Sequence, residues 1–242
     1  MPGWNALQCS GILNMINHGK ERKPMTYEEV RRDEAVRVYI AQADASMDAL
    51  GFTEHSFAHV TRVAKIAGDI LQALDYPDRT VELARIAGYL HDIGNVVNRV
   101  DHSQSGAVMA FRILDRMNFP PEEIAAIVTA IGNHDEGNGV PVNALAAALF
   151  LADKSDVRRS RVRKQADIAL DIHDRVNYSV TDSRLEIDKD QKTIGLELTV
   201  DTQVSSVMEY FEIFMKRMLL CRQAAQRLGL TFQLSINGQK LL

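Results

Sequence analysis

An apolar helical stretch that runs straight into a histidine–aspartate pair sets the tightest limit on how this chain can fold. In VELARIAGYL, residues 81–90, Val81, Leu83, Ala84, Ile86, Ala87 and Leu90 recur at helical spacing, so that face is expected to be buried. The next two residues are His91 and Asp92. Bare polar groups are costly to bury, so the pair must be hydrogen-bonded, ion-paired or bound to metal. Gly94 is expected to stop the helix.

The same periodicity continues on both sides. TYEEVRRDEAVRVYIAQADASMDALG reads as one long helix from Thr26, with Thr26 and Glu29 in capping-box form, stopped by Gly51. Further helices are expected over roughly 55–75, 79–92 and 103–118, from FPPEE to about Gly132, and across the alanine-rich VNALAAALFLADKSDV. QADIALDIHDRV is a candidate seventh. After about residue 180 the period changes. RLEID and TIGLELTV alternate around KDQK as a β-hairpin, VSSVMEYFEIFMKRMLLCRQAAQRLG is an amphipathic helix stopped by Gly229, and TFQLSI is a short strand. The expected fold class is therefore mainly α: an irregular arm over 1–24, a helical body over 25–178 and a small ββαβ appendage over 179–242.

The formal charge of −4 argues against a generally basic nucleic-acid binder. Two cysteines, Cys9 and Cys221, form neither a disulfide framework nor a metal spacing, which predicts a reduced, cytoplasmic protein. No apolar run is long enough to span a membrane, and the first residues do not read as a signal peptide.

Against that background the polar groups on buried faces stand out. His59 is followed by Val63, Ile66 and Ile70 at steps of four and three, so it should point inward. His91-Asp92 ends one helix, His102 opens the next, with Gly106 permitting close approach, and His134 closes the one after. Asp153 interrupts ALAAALFLADK, where the alanines and Leu149 demand burial. Any one of these alone is better read as a satisfied core residue or a helix cap. Together, imidazoles and carboxylates on five helices form a ligand set that zinc, iron and manganese share, able to converge in a bundle core.

The order His…His-Asp…Asp, with LHDIG in the middle, HVTRVA before it and FLADKSDVRRSR after it, resembles the HD-domain superfamily of metal-dependent phosphohydrolases over roughly residues 55–165. HSQSGA and NHDEG resemble the two extra histidines of its dinuclear branch, which includes ribonuclease Y, symmetrical diadenosine tetraphosphate hydrolases, HD-GYP phosphodiesterases and some di-iron oxygenases. The resemblance implies an HD-type helical bundle. It implies that His59, His91, Asp92 and Asp153 hold one divalent ion (iron, manganese or zinc). Asp92 then bridges to a second ion completed by His102 and His134. It further implies phosphoester hydrolysis by a metal-bridging hydroxide, on a nucleotide or another small phosphorylated compound.

Other roles are weighed against plain solvation. Arg62, three residues past His59, is a candidate for phosphate contact. Lys154, beside Asp153, is a candidate to reach the substrate or a neighbouring carboxylate. In the basic run RRSRVRK, Arg158 and Arg161 are candidates for substrate contact. Asp135 and Glu136 can orient His134 or a water. His55 is expected to be a surface or capping residue, His173 structural, and His18 without a role. Many relatives carry HDIGK; here Asn95 takes the place of the lysine. That argues against cyclic dinucleotide cleavage, as does the missing GYP signature. Two alternatives from other classes stay open: an HD-type di-iron oxygenase and a non-catalytic, metal-stabilised regulatory module. The apolar stripe on 203–228 is expected to pack on the hairpin and the body; its alternative use is a homodimer surface.

Overall fold

A computed structural model describes residues 24–137, 139–163 and 172–242. The expected N-terminal arm, Lys164 and most of the candidate seventh helix lie outside the described residues.

The first expected helix is two. α1 (Tyr27–Arg32) starts at the Thr26–Glu29 capping box. It breaks at Asp33, which is extended and whose side chain accepts from the Val36 amide to cap α2 (Glu34–Ala49). Asp followed by Glu is a strong helix start, and here it overrides continuity. Gly51 then turns the chain in the left-handed region, φ 80°, where glycine carries no Cβ penalty.

α3 (Phe57–Ala73) and α4 (Asp78–Leu90) form the centre of the body. They cross backbone to backbone. A Cβ placed on Gly88 would lie 2.7 Å from Ala64 Cα, closer than real contacts allow. Gly94 is not a left-handed stop. α4 ends at Leu90 and passes into a 3₁₀ turn, Ile93–Val96. Gly94 lies against the start of α5 (His102–Arg116), where a Cβ would be 2.0 Å from the His102 carbonyl oxygen. Its lack of a side chain is a requirement of packing. α6 (Pro121–Gly132) and α7 (Ala144–Ser155), apolar from Ala144 to Ala152, complete the bundle. In α7 the run Ala146–Ala152 is buried, so α7 is its central helix.

α8 (Ile172–Ser179) leads into the C-terminal unit. β1 (Val180–Asp188) and β2 (Thr193–Val200) are an antiparallel hairpin. α9 (Val207–Arg227) crosses over to β3 (Thr231–Ile236), which pairs parallel to β2. A two-residue β4 (Gln239–Lys240), not expected from the sequence, gives the order β1-β2-β3-β4. Ile194 faces Phe232, Leu196 faces Leu234 and Leu198 faces Ile236 across the parallel pair, and all six are buried. One apolar cluster runs from the bundle into this sheet, including Leu149, Phe214 and Leu234. Ser183 Oγ donates to the Ser155 carbonyl at 2.5 Å, tying β1 to the end of α7. On α9, Phe214 and Met218 are buried, while Met208, Met215 and Leu219 remain exposed, so the stripe packs on one side only. Among the described residues no helix is long and apolar enough to cross a membrane.

Candidate metal centre

Four imidazoles converge in the bundle, one each from α3, the end of α4, the start of α5 and the loop after α6. Each uses Nδ1 outward. His91 Nδ1 donates to the Gly88 carbonyl at 2.8 Å, His102 Nδ1 to the Arg99 carbonyl at 3.0 Å, and His134 Nδ1 to the Ile131 carbonyl at 2.7 Å. His59 Nδ1 meets Asp156 Oδ2 at 2.7 Å. A carbonyl only accepts, so the three carbonyl-bonded rings carry their proton on Nδ1 and present the Nε2 lone pair.

Those lone pairs face one another. Nε2 of His59 and His91 are 3.3 Å apart, and Nε2 of His102 and His134 are 3.1 Å apart. Asp92 lies between the two pairs with its oxygens divided. Oδ2 is 3.1 Å from His91 Nε2 and 3.5 Å from His59 Nε2. Oδ1 is 3.5 Å from His102 Nε2 and 3.7 Å from His134 Nε2. Asp153 Oδ1 joins the first pair, 3.4 Å from His59 and 3.7 Å from His91. Among the described residues, His59, His91 and Asp153 form one group able to hold an ion, and His91, Asp92 and His134 another. Acceptors pointed at acceptors in a buried site need a cation between them, and nitrogen and carboxylate oxygen are donors for divalent transition metals. The donor set fits such ions.

The electrostatics of the side chains show the same demand. Burial and the Arg161 charge push His59 down, but hydrogen bonds to Asp153, Asp156 and Asp92 outweigh them and raise it to about 10. Burial opposes ionisation of Asp92, yet His91, His134, His55 and His59 hold it well below the usual carboxylate range. Burial likewise opposes ionisation of Asp153, which the Lys154 charge and His59 hold down. His102 is pushed down to about 4 by burial, against the pull of Asp92.

A cavity of about 450 Å³ opens from these ligands. Lys154 reaches it with Nζ 2.7 Å from Asp153 Oδ2 and 3.5 Å from Glu136 Oε1. Arg161 lines it too, its guanidinium donating to the Glu54 and Asp156 carbonyls at 2.9 Å. The structure sends Arg62 and Arg158 elsewhere. Arg62 Nε lies 3.0 Å and Arg158 Nε 2.5 Å from Asp156 Oδ1, and neither lines the cavity. Asp156 is a buried carboxylate, and its need for countercharge recruits both guanidinium groups to the side chain that holds His59. His55 is corrected as well: it is buried, lines the cavity, and has Nε2 4.0 Å from Asp92 Oδ2. His173 lines the cavity with Asp174 and Asn177 of α8. Asp135 Oδ1 is 4.0 Å from His102 Nε2, while Glu136 pairs with Lys154 and Arg217.

Arg99 and Arg217 at the site carried no sequence signal of their own, and Asn95 stood out only as the residue in place of a lysine. Asn95 donates to both the carbonyl and Oδ1 of Asp92 at 3.0 Å, steadying that carboxylate. Arg99, four residues on, donates to His102 Nε2 at 3.2 Å and lines the cavity. A cation therefore still stands near the place where Asn95 replaces a lysine. Arg217 and Phe214 reach the cavity from α9.

Residues 56–168 match the HD domain family model. This segment is an HD domain. The HD segment spans α3 to just past α7, and the residues of the metal centre all lie within it. An uncharacterized protein of Methanocaldococcus jannaschii is 27% identical over 205 residues, covering 74% of this chain and 77% of that protein. The crystal structure of a predicted HD superfamily hydrolase from an uncultured Thermotogales bacterium is 26% identical, with a TM-score of 0.43, covering 54% of this chain and 73% of that chain.

Proposed function

We propose that this protein is a metal-dependent phosphohydrolase that cleaves a phosphoester of a nucleotide or similar small phosphorylated compound. The observation that carries this reading is the division of Asp92, one oxygen to the His59–His91 pair and the other to the His102–His134 pair. His59, His91, Asp92 and Asp153 would hold one divalent ion, iron, manganese or zinc, and Asp92, His102 and His134 a second. Two such ions supply a water-derived nucleophile near neutral pH and stabilise charge on phosphoryl oxygens.

The chain's own groups do the rest. Lys154, Arg161, Arg99 and Arg217 share the cavity wall with five carboxylates, among them Asp92 and Asp153; with divalent ions on those two ligands the remaining cations would favour an anionic substrate, which supports hydrolysis of a phosphoester over oxygenase chemistry. Phe52, 43% exposed beside the Arg99 guanidinium, offers a ring face at the cavity wall, suited to stacking on a nucleobase. The cavity volume suits a small molecule better than a nucleic acid. Any homodimer would form on the α9 face left open by Met208, Met215 and Leu219; a monomer mass at every concentration would remove that idea.

The test is metal analysis of the purified protein, then a panel of nucleotides and dinucleotides with manganese or iron added. Phosphate release abolished in Asp92→Ala is the expected result. Oxygen uptake without phosphate release would replace this reading with the oxygenase. A folded, metal-loaded protein that does neither would replace it with a regulatory module.

A further inference from the structure

Arg217 belongs to α9, outside residues 56–168, yet it lines the same cavity as the metal centre. Its Nε donates to Glu136 Oε1 at 2.7 Å, and its guanidinium carbon lies 3.9 Å from the centre of the Phe214 ring. The guanidinium is thus fixed along one edge and on one face. Among the described residues its terminal nitrogens make no further hydrogen bond.

Glu136 is shared. Its Oε1 is also 3.5 Å from Lys154 Nζ, which is 2.7 Å from Asp153 Oδ2. Asp153, Lys154, Glu136 and Arg217 therefore form a row of alternating charge leading from the metal centre along the cavity wall. Two cations balance two carboxylates as long as Asp153 keeps its charge for Lys154. An ion held by Asp153 draws that charge away, and Lys154 and Arg217 are left with one carboxylate between them. Buried charge without a partner is costly, and an anion beside these groups removes the cost.

We propose that Arg217 receives a second phosphoryl group of the substrate, so that the C-terminal unit selects diphosphate-containing compounds over phosphomonoesters. This rests on the phosphohydrolase reading above. Lys154 adjoins a ligand of the metal centre and is placed for the phosphoryl group held there. Arg217 lies one ion pair further out and is placed for the next. A fixed planar guanidinium with two terminal N–H groups suits a phosphoryl oxygen pair, a match that an ammonium group lacks.

The test is calorimetric titration of the metal-loaded full chain with methylenediphosphonate, which has no hydrolysable P–O–P link, and with methylphosphonate. Arg217→Gln is expected to lower diphosphonate affinity roughly tenfold or more, the loss of one charge-assisted hydrogen bond. Methylphosphonate affinity and metal content should stay close to wild type. Unchanged diphosphonate affinity, or an equal loss for both ligands, would overturn the proposal. If Arg217→Gln does not fold, Arg217→Lys gives the same comparison, and wild-type diphosphonate affinity in that variant overturns it equally. A protein that cleaves no phosphoester yet shows the selective loss keeps Arg217 as an anion site and removes the hydrolase reading. Phosphoester turnover combined with an indifferent Arg217→Gln removes only the role of Arg217.

Discussion

Asp156 Oδ2 and His59 Nδ1 are 2.7 Å apart, and both side chains are fully buried. The two residues are 97 apart in sequence, and α3 and α7 must be packed before they meet. Asp156 also gathers Arg62 and Arg158, so one carboxylate orients an imidazole and pairs with two guanidinium groups. Partners of this kind raise a metal-binding imidazole's basicity and fix its ring.

Asp156→Ala leaves the His59 ring without its buried partner. We expect a stability loss of about 3 kcal/mol, in the range for breaking a buried ionic contact, and a ~10–100-fold loss of metal affinity. Asp156→Asn keeps an acceptor for His59 and should lose less of both. Urea unfolding and metal titration read the two effects; equal behaviour of the two variants would show that the acceptor is immaterial.

His102→Ala should retain one metal equivalent where wild type holds two, because His59, His91 and Asp153 are untouched. Asp92→Ala should lose the second ion and weaken the first, since its oxygens face both imidazole pairs. Elemental analysis after gel filtration decides this. Two equivalents retained by His102→Ala would show that the second set is misassigned.

Gly94→Ala meets the His102 backbone, which has no flexible end to yield. A loss of about 3 kcal/mol is expected, at the upper end for overpacking, together with a disturbed second ion. Gly195 in β2 is a control with nothing within 4 Å of an added Cβ. Gly195→Ala should be stabilising by about 0.5 kcal/mol, because glycine weakens a strand. Thermal unfolding of both compares them directly.

Cys221 is buried on α9, and burial pushes its thiol up to about 12. Its folded value lies above the ordinary one, so the folded state keeps a proton that the unfolded state releases. Its contribution to stability is full below about pH 9 and falls as pH rises from there toward 12. In a Cys9→Ser background a disulfide reagent at pH 8 should therefore find no reactive thiol until denaturant is added. Rapid labelling of the native protein would show that α9 opens.

Much of this centre is legible in the chain because its ligands sit where periodicity fails. His59 keeps step with apolar neighbours, His91-Asp92 ends an apolar helix, and Asp153 interrupts a run of alanine and leucine. Such misfits are visible locally. What supports them is not. Asp156 looks like a helix cap, Arg62 and Arg158 like ordinary surface cations, and Arg217 like the polar side of an amphipathic helix. For Asp156, Arg62 and Arg217 the partners lie 97, 94 and 81 residues away, and no local pattern reports a pairing at that distance; Arg158 pairs locally, with Asp156, but only because the fold has buried that carboxylate. The break at Asp33 was readable, since Asp-Glu is a helix start, but the surrounding period concealed it. β4 has only two residues, too few to alternate.

The crossing at Gly88 has a consequence for how this protein can vary. Because main chain rests on main chain there, the gauge between the His59 and His91 rings is set by the polypeptide itself, like the fixed throat of a mould. Trimming a neighbouring valine or leucine would leave a cavity without moving either main chain directly. A single methyl group at Gly88 would pry it open.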